Sequence, residues 1–237
     1  MRMTKARYVI LWLMVVLYGL LLCSCNHSEK AFTVNGLAVE KAELVHYMQE
    51  NTAVVAAALE EEAGVDSFHD DFWLVPQNGV DTFSRLREYT TQQIVRQKVE
   101  QLCAKEQGID TPLYYSDQLT EMKEQNRQRT SAYETGEVLY GPVERDFVTY
   151  FSEWYLDMKK QCRAVLSEKG TLSIAAGEIE AYYEAHRENF TSESREDAYY
   201  RIREYLLDEA YEVYIDTLAE QAKVTEGNVR ILPEEVV

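Results

Sequence analysis

Cys25 stands in the setting that speaks most directly of chemistry. It closes Leu22-Cys23-Ser24-Cys25, with Leu three positions before it and a small Ser immediately before it. A small residue there fits a signal-peptidase groove, and the thiol that follows is the nucleophile that takes a diacylglycerol. Ahead of the motif come Arg2, Lys5 and Arg7, then an uncharged apolar run over residues 8–22. Charge, apolar stretch and small-residue cleavage site in that order make a bacterial secretion signal of the lipoprotein kind. The run is shorter than the roughly 20 residues a helix needs to span a bilayer. The expectation is a signal over residues 1–24, cleavage before Cys25, and a lipidated polar tether over residues 25–30. Two acyl chains hold a protein to a membrane where one does not. This body would face the extracytoplasmic side of the cell envelope.

The remaining reactive residues make no catalytic set. Cys103 follows Val95 and Val99 at helical spacing, and Cys162 follows Trp154 and Met158 in the same way. Both thiols are expected to face a core, either as free buried thiols or as a bridge between two helices in an oxidising compartment. His27, His46, His69 and His186 are scattered, and none has the i, i+4 partner of a metal site. There is no Gly-rich phosphate loop, Gly-x-Ser-x-Gly or body Cys-x-x-Cys, and Glu60-Glu61-Glu62 and Asp70-Asp71 read as solvated faces. No catalytic residue, metal or cofactor is assigned. The 17 Tyr include the adjacent pairs 114/115, 182/183 and 199/200. A Tyr ring offers a large apolar face and a hydroxyl, which suits contact with varied peptides. Tyr150, Trp154, Tyr155, Tyr199 and Tyr205 are the candidate client-binding side chains.

Helices must position them. The chain has four Pro and ten Gly in 237 residues and 46% apolar side chains, enough for a core. Asn35-Gly36 between apolar flanks predicts a hairpin over residues 31–39. Helices are expected over 40–64, from an N-cap at Thr82 to 105, from Ser116 or Asp117 onward, over 144–167, over 178–185, and over 196–222. The 144–167 stretch has the clearest stripe: Phe147, Tyr150, Phe151, Trp154, Met158, Cys162 and Val165. In the last helix Ile202, Leu206, Ala210 and Val213 make one row, with Leu207, Tyr211, Ile215 and Leu218 beside it. Val224, Val229 and Ile231 suggest one or two closing strands. A lone hairpin is marginal in water, so the closing strand should pair with residues 32–34. The fold class is therefore mainly α, with a small antiparallel β element joining both ends of the mature chain.

Formal net charge is −17. The three basic residues of the signal leave with it, so the body carries −20. An excess of this sign argues against nucleic acid, whose phosphates need a basic patch.

The order of features resembles SurA/PrsA-type foldases, extracytoplasmic chaperones of the peptidyl-prolyl isomerase family that are often lipoproteins. The matching stretches are Val34-Asn35-Gly36 followed by Glu43-Leu44, Asp71-Phe72-Trp73, Leu102 to Ile109, Leu139-Tyr140-Gly141-Pro142, and Ile179 to Glu184 reaching Phe190. Together they span residues 31–232, read as one helical chaperone-like domain, with 233–237 as a tail. In isomerase-bearing members a parvulin domain of about a hundred residues follows the segment matching 183–190. Only residues 191–196 separate Phe190 from the last helix in this chain, so the resemblance implies the peptide-binding module without the isomerase. It implies unfolded or secreted polypeptide clients in an apolar cleft framed by helices from both ends. The alternative is a scaffold lipoprotein serving one folded envelope partner. Whether the chain forms a homodimer stays open.

Overall fold

The computed structural model describes residues 29–237; the expected signal, Cys25 and most of the expected tether lie outside the described residues. Strands β1 (Lys30–Val34) and β2 (Leu37–Glu40) form the hairpin. Asn35 and Gly36 both take positive φ, 50° and 86°, as a primed two-residue turn requires. Strand β3 (Val224–Glu226) pairs antiparallel on the other side of β1, giving the order β2-β1-β3 with Thr33 opposite Thr225. Asn35 locks this closure: its amide donates to the Lys223 carbonyl at 2.9 Å, and its side-chain oxygen accepts from the Lys223 amide at 2.8 Å. Both ends of the described chain thus meet in one small sheet. Residues 227–232, where a second closing strand was conceivable, are irregular, though Ile231 and Val236 are buried.

Six α-helices, with short 3-10 turns and irregular connections, make up the rest of the described residues. They are α1 (Lys41–Ala63), α2 (Thr82–Glu106), α3 (Tyr115–Glu134), α4 (Phe147–Glu168), α5 (Ala176–Ala185) and α6 (Arg195–Glu220). Leu44, Met48, Val55 and Leu59 of α1 pack on Leu86, Ile94, Val95 and Val99 of α2, and the sheet's Phe32, Val34 and Val39 join the same core. In the connection between α1 and α2, Phe72 is buried edge-on to Trp73 at 4.6 Å, while Leu74 is exposed. A second cluster joins α2, α4 and α6 through Ala104, Met158, Leu166, Leu207, Tyr211 and Ile215. A third joins α5 to α6 through Ile179, Phe190, Ala198 and Ile202.

Several helix starts differ from the sequence reading. Asp81, not Thr82, caps α2: its Oδ1 accepts from the Ser84 amide at 2.9 Å, and Thr82 turns inward to donate to the Phe72 carbonyl. Asp146 caps α4 in the same manner, so that helix begins three residues later than expected. Neither Ser116 nor Asp117 caps α3. Glu40, at the end of β2, accepts from the Ser116 amide at 2.7 Å and from its hydroxyl at 2.8 Å. A carboxylate at a helix N-terminus satisfies free amides and meets the positive end of the dipole. Val213 is 65% exposed and leaves its predicted row; the buried seam runs through Ile202, Leu207, Tyr211 and Ile215.

Candidate functional site

The stripe on α4 does two jobs. Phe147, Tyr150 and Phe151 bury against Tyr115 of α3, with Tyr115 and Phe147 edge-on at 4.8 Å. One turn further, α4 turns Trp154, Asp157, Met158 and Gln161 toward an open cleft of about 360 Å³. The facing wall is Glu121 and Gln125 of α3 with Ile109 and Asp110 of the α2–α3 connection. A second depression of about 320 Å³ shares Asp110, Glu121 and Trp154 and extends toward Lys105, Pro112, Tyr114 and Asp117. Trp154 therefore sits where the two meet.

The walls are held by polar contacts along α3. Asn126 donates to the Arg145 carbonyl at 2.7 Å and accepts from the Arg145 amide at 3.0 Å. Arg129 donates to the Tyr140 carbonyl at 2.7 Å and to that of Pro142 at 2.6 Å, tying down the α3–α4 connection. The Arg145 guanidinium is committed to Glu153 and, at 2.6 Å, to Gln125. The two depressions together present Asp110, Asp117, Glu121, Glu153 and Asp157 against Lys105 and Arg145. With Arg145 paired to Glu153, the unneutralised excess is acidic. Burial, then the Glu121 carboxylate, pushes the Tyr150 hydroxyl well above the usual phenol range, so it stays protonated beside these acids.

The cleft differs from the one expected. It lies between α3, α4 and the α2–α3 connection, not between helices from the two ends, and carboxylates line it beside Ile109, Tyr150, Trp154 and Met158. The last helix, α6, packs on α5, α2 and α4. A smaller groove of about 240 Å³ runs between α1 and α2 over Val54, Ala58, Leu59 and Tyr89.

Of the five aromatic candidates, Tyr150 and Trp154 line the cleft. Tyr155 stacks on Phe151 at 5.2 Å but turns inward, where its hydroxyl donates to Glu100. Glu100 is fully buried and also accepts from Tyr211 at 2.7 Å, with Arg96 at 3.5 Å. Burial and the Glu100 charge push both phenols up. Tyr199 belongs to the α5–α6 end, donating to Glu180 and accepting from Arg195 at 2.6 Å. Tyr205 is there too, donating to Glu209 with its ring 5.3 Å from that of Tyr182. The cleft acids were missed as a group, although Glu153 and Asp157 stand at i, i+4 on one face of α4, flanking Trp154.

Two buried polar features need their partners to be seen. Lys98 and Glu43 form an ion pair at 2.8 Å, with side chains 0% and 2% exposed. Cys103 and Cys162 are free buried thiols whose sulfurs lie 3.8 Å apart. Among the described residues no cluster of His, Cys, Asp and Glu could hold a metal ion, and no helix is long and apolar enough to cross a membrane. Cys25 lies outside the described residues. No family model, curated protein or solved structure matches the chain.

Proposed function

We propose that this chain is a lipid-anchored, extracytoplasmic chaperone-like protein that holds basic, unfolded polypeptide segments in the α3–α4 cleft. The observation that carries the reading is the cleft itself: an indole between two open depressions whose carboxylates outnumber their basic side chains. An extended segment would lay an apolar side chain on Trp154 and its Lys or Arg side chains toward Asp110, Glu121 and Asp157. Rings supply binding that tolerates many sequences, and the acidic rim supplies steering that salt screens. The lipobox supports placement at a membrane surface through diacylglycerol on Cys25, and the ordered resemblance to SurA/PrsA-type foldases supports the client class. Only a short turn stands between Phe190 and α6, and the proposed role is peptide binding without prolyl isomerisation.

The test is binding of two labelled unfolded peptides of equal apolar content, one Lys/Arg-rich and one Asp/Glu-rich. The basic peptide binds more tightly, and the preference fades between about 0.15 M and 1 M salt as the screening length falls from ~8 to ~3 Å. Trp154→Ala costs about 2 kcal/mol, roughly thirtyfold in affinity. Equal binding of both peptides, or an unchanged affinity in Trp154→Ala, sinks the reading. One saturable folded partner with no peptide binding favours the scaffold role instead.

A further inference from the structure

The thiols of Cys103 and Cys162 come from different helices and lie 3.8 Å apart in van der Waals contact, and both are buried. Cys103 occupies the last turn of α2, where its carbonyl accepts from the Gln107 amide. The chain then runs directly into Ile109 and Asp110, one wall of the cleft. Cys162 follows Met158 and Gln161 on α4, the other wall. The pair therefore joins α4 to the end of α2, next in the chain to residues that line two sides of the cleft.

The geometry points to Cys103–Cys162 as a disulfide that forms on export and staples the cleft walls together. Side chains already in contact close a bond with small rotations, whereas Cys pairs held apart by the backbone cannot. The compartment follows from the proposed lipid anchor, and secreted proteins meet oxidising conditions. The oxidant is a disulfide of the thiol-oxidoreductase or glutathione class. One Cys thiolate attacks a sulfur of that disulfide, breaking it, expelling a thiolate and forming a mixed disulfide. The second Cys thiolate attacks the first Cys sulfur and expels the other oxidant thiolate. The two Cys thiols lose two protons and two electrons, and the oxidant leaves as two thiols. Burial of the finished pair puts the exchange in the folding chain, before α4 closes over α2.

Full-length protein exported by its own signal, and the same chain made in a reducing cytosol, are unfolded without reductant, alkylated and digested. The expected result is a peptide pair joined through Cys103 and Cys162 in the exported protein, lost on reduction and absent from the cytosolic sample. Both cysteines alkylated as free thiols in the exported protein overturns the bond. The staple is read separately by amide exchange of exported protein before and after reduction. Exchange across residues 103–113 and 158–166 rises about tenfold or more on reduction. Unchanged exchange overturns the staple even where the bond is found. Neither readout involves a client, so failure of peptide binding with the crosslink present falls on the proposed function alone.

Discussion

Lys98→Met removes the cation from the most deeply buried ion pair among the described residues. In the native protein Lys98 Nζ lies 2.8 Å from Glu43 Oε1 and donates to the Leu113 carbonyl at 2.7 Å. Glu43 Oε2 accepts no hydrogen bond among the described residues. Burial already pushes the Glu43 carboxyl above the ordinary carboxylate range, against the pull of Lys98. Without the cation, a carboxylate is left in a dry site with no positive charge opposite it and the Glu40 carboxylate nearby. Breaking such a pair costs about 3–5 kcal/mol, a large share of the ~5–15 kcal/mol that holds a typical domain. At a urea slope of about 2 kcal/mol per M, the unfolding midpoint of Lys98→Met falls by roughly 2 M. Circular dichroism against urea at pH 7 measures it. The deficit shrinks as pH falls, because protonating Glu43 relieves the stranded charge. Glu43→Leu together with Lys98→Met removes both charges and recovers most of the stability. A loss under about 1 kcal/mol in Lys98→Met, or a double variant no better than the single, refutes the argument.

Three further outcomes follow from separate places in the fold. A Cβ at position 227 would lie 2.3 Å from the Lys30 carbonyl oxygen and 2.5 Å from that of Ala31, so Gly227→Ala destabilises by about 1–3 kcal/mol. The loss appears in a thermal melt and as faster amide exchange in β1 and β3. Glu40→Ala uncaps α3 from a distance and costs about 1–2 kcal/mol, read in urea unfolding, with exchange rising first at residues 116–118. His46 sits among Tyr47, Tyr115 and Phe147, and burial holds its pKa below that of a free imidazole, outweighing the pull of Glu50. The unfolded chain takes up the proton first, so this contribution is complete above about pH 6.5 and is lost as pH falls through the lower folded pKa. His46→Phe flattens stability against pH between about 7 and 5; an unchanged slope shows that His46 is not the group responsible.

Local chemistry made the sheet legible. Asn35-Gly36 specifies a primed turn by itself, and the need of a bare hairpin for another strand leads to β3 at the far end. Helix interiors were legible from their apolar spacing, and so were the starts of α1 and α6, but the caps of α2, α3 and α4 were not. Thr82 and Asp81 are both N-cap residue types, Asp the stronger, and in the fold Asp81 takes the cap while Thr82 donates to the buried Phe72 carbonyl. The partner of α3 lies 76 residues earlier in the chain, beyond any local signal. The same holds for the site. Periodicity placed Tyr150 and Trp154 on one face of α4 but could not tell that Tyr155, a residue further, would meet Glu100 of α2. Tyr199 and Tyr205 looked equivalent to the others by type, and their acid partners on α5 and α6 put them elsewhere. Cys103 and Cys162 were each expected in a core from their stripes, and their mutual contact depends on how α2 meets α4.

Binding of basic polypeptide in the α3–α4 cleft is best tested by mapping amide protection on the protein with and without saturating Lys/Arg-rich unfolded peptide. The account predicts protection across residues 109–121 and 150–161, weakened in 1 M salt, with the α5–α6 end around Tyr199 and Tyr205 unchanged. Protection confined to the α5–α6 end or to the α1–α2 groove, or none at a saturating peptide concentration, contradicts it.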